Sequence, residues 1–137
     1  MARILVAEDD SGVRILVSRA LALEGHDVTT AEDGADALDR LIETNGAFDL
    51  VLSDIRMPAM TGIELAHEIA ASWPDLPVLL MTGYAEQKEA AETLTAIIRG
   101  VVEKPFTLAT IRARVSDVIN AGFDDGSDEP ELLRRYA

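Results

Sequence analysis

Short apolar runs alternate with helical patterns along most of this chain, and this alternation limits the possible folds more than any other feature. The runs cover residues 3–7, 27–30, 48–53, 77–81 and 100–103. Strands that alternate with helices are typical of βα units and a parallel sheet. The sequence therefore predicts an α/β fold, a doubly wound five-stranded parallel sheet with helices on both faces.

The segments between these runs carry helix signals. Three helices are predicted over residues 12–24, 63–72 and 86–97. Two more are predicted to start after the capping residues Asp33 and Thr107, and the helix after Thr107 is predicted to end near Ala121. Helical spacing in the first predicts an inward stripe of Val13, Leu16, Val17, Ala20 and Leu21. In the last, the same spacing predicts inward positions for Leu108, Ile111, Val115 and Ile119.

Length and charge exclude several classes of protein. The chain has 137 residues and a net charge of −13, which predicts a single acidic domain. An acidic surface argues against a nucleic-acid groove and against an anionic membrane face. With no cysteine, the chain has no disulfide, thiolate metal site or cysteine nucleophile.

The two ends of the chain carry different predictions. The first apolar run, residues 3–7, is too short for a signal peptide or a membrane span, so a cytoplasmic location is expected. The domain is predicted to occupy residues 1–121. Residues 122–137 are polar and rich in Asp and Gly, and they predict an acidic C-terminal tail with a composition compatible with disorder.

Polar residues follow four of the five apolar runs. Glu8 and Asp9 follow the first, Asp54 the third, Thr82 the fourth and Lys104 the fifth. Taken singly, these residues are most often helix caps, loop hydroxyls or surface charges. Ligands of open α/β sheets bind beyond the carboxyl ends of the strands, so the joint pattern predicts one site at that edge.

The residue types in this predicted site suit phosphoryl transfer. Three acids at one edge would repel each other unless a hard cation lies among them, and Mg²⁺ fits best because it needs few carboxylates. Asp54 could then act as a nucleophile and form an acyl phosphate. Lys104, one of only two lysines, would help to neutralise the charge, and the Thr82 hydroxyl would bind a phosphoryl oxygen.

Over about residues 3–120, these motifs resemble the receiver domain of two-component response regulators. The matching segments are Ile4–Asp10, Leu52–Gly62, Leu80–Tyr84 and Glu103–Phe106. The resemblance implies a flavodoxin-like fold with strand order 2-1-3-4-5. It also implies that the chain catalyses only its own phosphorylation and slow autodephosphorylation.

The resemblance implies a role for each site residue. Asp54 is expected to be the phosphoacceptor and a metal ligand. Asp9 is expected to bind Mg²⁺ directly, Glu8 through water, and Arg56 through its backbone carbonyl. Thr82 and Lys104 correspond to the family's switch hydroxyl and its lysine.

Two features depart from the usual family pattern. The family usually has Phe or Tyr three residues before the lysine, where this chain has Val101, and Tyr84 is a possible substitute. Only sixteen residues follow Ala121. The chain is therefore expected to be a stand-alone receiver, somewhat similar to the CpdR group of protease adaptors.

The predicted function is that of a single-domain response regulator. A histidine kinase or histidine phosphotransfer protein would phosphorylate Asp54, and a protein partner would bind the face of the fourth helix, fifth strand and last helix. That face is expected to include Tyr84, Lys88, Glu92, Arg99, Arg112 and Arg114. One alternative is a phosphorylation-independent interaction or adaptor module. Another, a phosphohydrolase, is disfavoured because no DxDx[TV] signature follows the first strand.

Overall fold

The computed structural model describes residues 1–124, which form five strands and five helices in strict alternation. In chain order these are β1 (Arg3–Ala7), α1 (Ser11–Leu23), β2 (Asp27–Ala31), α2 (Gly34–Thr44), β3 (Leu50–Asp54), α3 (Gly62–Ser72), β4 (Val78–Thr82), α4 (Ala85–Glu92), β5 (Gly100–Glu103) and α5 (Leu108–Asp124). The strands are parallel and lie in the order β2-β1-β3-β4-β5. The predicted fold class and strand order are confirmed.

The central strands are buried on both faces because helices cover both sides of the sheet. Alternate residues of each strand point to opposite faces, so Leu5 and Val51 join one apolar cluster while Ile4 and Leu52 join the other. Helices α2, α3 and α4 contribute to the first cluster, and α1 and α5 contribute to the second. This double burial explains why the strands read as continuous apolar runs.

The predicted helix caps form the expected hydrogen bonds. The Asp33 side chain accepts a hydrogen bond from the Asp36 N–H at 2.8 Å, and Asn45 ends α2 in the left-handed conformation with φ of 55°. The Thr107 hydroxyl accepts a hydrogen bond from the Thr110 N–H at 3.0 Å. The sequence therefore identified the starts of α2 and α5 from local chemistry alone.

Three predictions about helices need correction. Helix α4 ends at Glu92 and not at residue 97, because tighter turns follow; the Leu94 N–H donates to the Ala91 carbonyl, three residues back. These turns direct Ile98 into the core. Leu16 is 55% exposed, because α1 buries only the narrower stripe of Val17, Ala20 and Leu21. Helix α5 continues to Asp124, and the rest of the predicted tail lies outside the described residues.

The carboxyl ends of β1, β3, β4 and β5 meet at one edge of the sheet. Residue pairing is in register along the strands, with Ala7 opposite Ser53, Asp54 opposite Met81 and Thr82 opposite Glu103. The polar residues that follow these strands are therefore brought together. Within residues 1–124, no helix has both the length and the apolar character needed to cross a membrane.

Candidate functional site

A cavity of about 460 Å³ opens at this edge of the sheet, and most of the predicted site residues line it. Glu8, Asp9, Asp54, Arg56 and Lys104 all contribute to its walls. Thr82 is buried and contacts two further wall residues, which are Tyr84 and Gln87. The structure thus brings together every residue that the sequence assigned to the site.

Lys104 joins the strand ends. Its Nζ lies 3.1 Å from Glu8 Oε1 and 3.1 Å from Asp54 Oδ1. Its backbone N–H donates a hydrogen bond to the Thr82 carbonyl at 2.7 Å, which fixes the chain where it leaves β5. One ammonium group therefore bridges acids that follow β1 and end β3.

Hydrogen bonds to its side chain and its backbone fix the orientation of Glu8. It is 1% exposed, and its second carboxylate oxygen accepts the Asp10 N–H at 3.1 Å. Its carbonyl accepts a hydrogen bond from Arg14 Nη1 at 2.7 Å. Because both carboxylate oxygens have partners, the position of Glu8 is fixed before any ligand binds.

The acids form a donor set that suits a divalent cation. One carboxylate oxygen from each of Glu8, Asp9 and Asp54 can be chosen so that all three lie within 4.8 Å of one another. Hard oxygen ligands at this spacing match the preference of Mg²⁺, which keeps several waters and takes few carboxylates. The cluster is therefore consistent with the divalent metal site that the sequence predicted.

Burial and mutual repulsion disfavour full ionisation of this cluster. Burial raises the pKa of Asp54, and the nearby charge of Lys104 only partly offsets this. Burial, followed by repulsion from Asp54, also raises the pKa of Glu8. Burial on its own would lower the pKa of Lys104, but its hydrogen bonds and ion pairs with the two acids raise it. One ammonium group therefore offsets only part of the cost of ionising the two acids.

The pKa of Asp54 leads to a prediction about stability. A raised pKa in the folded state means that ionised Asp54 destabilises the metal-free protein, and that this cost disappears when the carboxyl is protonated. In EDTA at neutral pH, the free energy of unfolding of Asp54→Asn is therefore expected to be higher than that of the wild type. The difference should shrink as the pH falls towards 3.8, the ordinary pKa of an aspartate.

Urea denaturation of both proteins across this pH range measures the difference directly. Subtracting one curve from the other removes the contributions of groups that the two proteins share. A wild type that is more stable than Asp54→Asn at neutral pH in EDTA would contradict the prediction.

The backbone behind Asp54 depends on a close contact that the sequence did not predict. The Gly62 N–H donates to the Ile55 carbonyl at 2.9 Å, and a methyl group on Gly62 would clash with the Asp54 carbonyl oxygen. A capping box between Thr61 and Glu64 fixes the start of α3 at the same point. The start of α3 therefore buttresses the end of β3.

The Thr82 hydroxyl is already engaged in hydrogen bonds. It donates to Gln87 Oε1 at 3.1 Å and accepts the Tyr84 N–H at 3.1 Å. Gln87 was not among the predicted site residues. A glutamine in the first turn of a helix carries no sequence signal, because only the fold places it against the end of β4.

Arg56 and Tyr84 lie at the mouth of the cavity, and Val101 lies on β5. The Arg56 guanidinium lies over the Tyr84 ring, 4.8 Å from its centroid. Val101, at the position where the resemblance leads one to expect an aromatic residue, is half-buried, and its carbonyl accepts a hydrogen bond from Arg114 Nη1 at 3.3 Å. The role of the Arg56 carbonyl as a metal ligand stays a prediction.

A family model for the response regulator receiver domain matches residues 4–116, which is most of the chain and includes every site residue described above. The chain belongs to the response regulator receiver domain family. This confirms the resemblance drawn from the motifs. Members of the family are phosphoacceptor signalling domains of two-component systems, and they interact with histidine kinases and with downstream partners.

Two relatives show how this receiver domain compares with whole proteins. It is 34% identical over 131 residues to the response regulator MprA of Mycobacterium sp. strain KMS, covering 95% of this chain but 56% of that protein. It is 31% identical over 130 residues to a chemotaxis protein CheY homolog of Campylobacter jejuni, covering 93% of this chain and 99% of that protein. The chain thus spans about half the length of MprA and nearly all of the CheY homolog.

A solved structure of a response regulator has a similar fold. The response regulator protein TrrA of Thermotoga maritima, solved in complex with Mg²⁺ and BeF, aligns with a TM-score of 0.77 and 32% sequence identity. The alignment covers 86% of this receiver domain and 99% of TrrA. The likeness therefore extends over nearly the whole described fold.

Proposed function

We propose that this receiver domain accepts a phosphoryl group on Asp54 from a phosphohistidine of a histidine kinase or phosphotransfer protein. One observation carries the proposal. The Asp54 carboxylate lies in the wall of an open cavity, 3.1 Å from the Lys104 ammonium and beside Glu8 and Asp9. A nucleophile next to charges that can neutralise a phosphoryl group is what such a transfer requires.

The proposed step requires the phosphohistidine, the Asp54 carboxylate and one proton from solvent. A carboxylate oxygen of Asp54 attacks the phosphorus atom, the new P–O bond forms, and the P–N bond to the imidazole breaks. The imidazole nitrogen keeps the electron pair and is protonated from solvent. Lys104 binds a phosphoryl oxygen as negative charge moves onto Asp54, and Glu8 holds the ammonium group in place.

We assign the predicted metal ligands to this site on the same grounds. Asp9, Asp54 and the Arg56 carbonyl would bind Mg²⁺ directly, and Glu8 would bind it through water. When bound, Mg²⁺ supplies positive charge that offsets the repulsion between the acids and the incoming phosphoryl oxygens. The exposed Asp9 is open to solvent and the buried Glu8 is not, which supports this division of roles.

The output face is proposed to be α4, β5 and α5, which adjoin the site. Lys88 on α4 lies 2.8 Å from Glu103 on β5, so the two elements are tied by an ion pair at the surface. A phosphoryl-dependent shift of α4 would change this surface and so the binding of a protein partner. The single-domain character and the similarity to the CpdR group stay predictions.

Treatment with a small phosphodonor tests the proposal. Phosphoramidate and Mg²⁺ are expected to add one phosphoryl group, seen by intact mass spectrometry, and Asp54→Ala is expected to lose it entirely. Asp39→Ala, which removes an exposed acid on α2, is the matched control and should be labelled like the wild type. EDTA should prevent labelling of the wild type and of Asp39→Ala.

Two outcomes would contradict the proposal. Equal labelling of Asp54→Ala would place the phosphoryl group on another residue. A folded wild type that takes no phosphoryl group and binds no Mg²⁺ would favour the phosphorylation-independent interaction module.

A further inference from the structure

The Thr82 hydroxyl carries one proton, and Gln87 Oε1 is the nearest acceptor for it. Thr82 is 2% exposed, so water does not compete freely for its hydroxyl. Oγ1 lies 3.1 Å from Gln87 Oε1, a shorter contact than the 3.4 Å to the Tyr84 carbonyl. The Tyr84 N–H donates to the same oxygen and occupies one of its lone pairs, and the shorter contact makes Gln87 the favoured acceptor of the hydroxyl proton.

Among the side chains that the structure describes, few others anchor the start of helix α4. Its N-cap residue, Tyr84, makes no side-chain capping hydrogen bond. Among the α4 side chains that the structure describes, Ala91 in the last turn is fully buried. Lys88 pairs with Glu103 at the surface, where such pairs contribute little. The hydrogen bond between Gln87 and Thr82 is thus a principal tie between the first turn of α4 and the end of β4.

The side chain of Val101 cannot form a polar link between the site and α4. Valine has one side-chain torsion and no polar atom, so Val101 can neither swing a ring inwards nor form a side-chain hydrogen bond. Gln87, in contrast, links Thr82 directly to α4 and also lines the site cavity. A polar relay from the site to α4 therefore exists without any aromatic residue at position 101.

We propose that Gln87 competes with the phosphoryl group on Asp54 for the hydroxyl proton of Thr82, so that phosphorylation releases the first turn of α4. The inference rests on the proposed function of Asp54. A single proton cannot be donated to both acceptors, so each phosphorylated molecule in which Thr82 binds the phosphoryl group has lost the bond to Gln87. Gln87 is on this account a positioning residue that sets the balance between the two states of α4.

Beryllofluoride with Mg²⁺ provides the probe, because it mimics a phosphoryl group on a carboxylate. Removing the competing acceptor with Gln87→Met, which keeps side-chain length and helix propensity, is expected to tighten beryllofluoride binding. A hydrogen bond contributes about 0.5–1.5 kcal/mol, which corresponds to a gain of about 2- to 13-fold in affinity. NMR titration at fixed Mg²⁺ measures the affinity. Glu89→Met, an exposed α4 position, should bind like the wild type.

A double-mutant cycle separates this role from a general effect on α4. In a Thr82→Val background the proton is absent, so Gln87→Met is expected to have no further effect on the affinity. An unchanged affinity in Gln87→Met alone, or an equal gain in the Thr82→Val background, would overturn the inference while leaving Asp54 as phosphoacceptor. A wild type that binds no beryllofluoride would overturn the proposed function and this inference together.

Discussion

Lys104→Met is expected to lower the free energy of unfolding of the metal-free protein by about 2 kcal/mol at neutral pH. The substitution leaves Glu8 and Asp54 buried without their shared ammonium group, which lies 3.1 Å from each. Loss of one partner of a fully buried pair costs about 3–5 kcal/mol. The side chain of Lys104 is 26% exposed, so solvent screening reduces that cost. Urea denaturation in EDTA measures the difference.

Lys88→Met is the matched control, because the two lysines differ in what surrounds them. Lys88 pairs with Glu103 at the surface, and its loss should change stability far less than the loss of Lys104. The deficit of Lys104→Met should shrink as the pH falls, because the raised pKa values of Glu8 and Asp54 let both acids become protonated. Equal losses in the two lysine variants would show that Lys104 carries no special role.

Phosphorylation should separate the lysine variants even more clearly. We expect Lys104→Met to be labelled far more slowly by phosphoramidate than Lys88→Met, because Lys104 lies beside Asp54 and Lys88 pairs with Glu103 at the surface. Added Mg²⁺ should restore much of the stability of Lys104→Met, since a cation then lies among the acids. Stability and labelling thus report on the same ammonium group by independent routes.

Gly62→Ala is expected to destabilise the protein by about 3 kcal/mol, the upper end of the usual cost of overpacking. The added methyl carbon would meet the backbone carbonyl oxygen of Asp54, and neither atom can rotate away from the other. Either α3 or the end of β3 must then move. Because Asp54 is on the displaced segment, phosphoryl labelling should fall together with the melting temperature.

Gly83→Ala is the control for this glycine prediction. A methyl group there would lie 3.7 Å from Lys104 Cβ, an ordinary van der Waals distance, so its effect should stay within about 0.5 kcal/mol. Thermal and urea denaturation of the two variants give the comparison. If Gly62→Ala were as stable as Gly83→Ala, the close contact between α3 and β3 would not constrain the site.

Local chemistry explains how much of the fold could be predicted. Apolar runs such as Leu50–Leu52 predicted buried strands because both faces are covered, and Asp33 and Thr107 predicted helix starts because their side chains cap exposed N–H groups. The order of the strands could not be predicted from local chemistry. Periodicity predicts a parallel sheet, but the order 2-1-3-4-5 came from the family resemblance and is now confirmed by the structure.

The remaining features depend on contacts between distant residues. The pairing of Lys104 with Glu8 spans 96 positions, and the contact of Gln87 with Thr82 depends on how α4 lies against β4. Helical spacing alone also extended α4 beyond Glu92, because the pattern does not show that Ile98 must turn into the core. Sequence patterns predicted that Glu8, Asp54 and Lys104 lie in one site, but they predicted neither the pairing of their atoms nor the contact of Gln87 with Thr82.

Borohydride trapping tests the central claim most directly. An acyl phosphate on Asp54 is reduced by borohydride to a homoserine at that position, and tandem mass spectrometry locates it. The tryptic peptide of residues 41–56 also contains Asp49, so fragment ions must distinguish the two acids. After treatment with phosphoramidate and Mg²⁺, homoserine is expected at position 54 alone. Homoserine at position 9 or 49, or at no position in a protein that is folded, would contradict Asp54 as the phosphoacceptor.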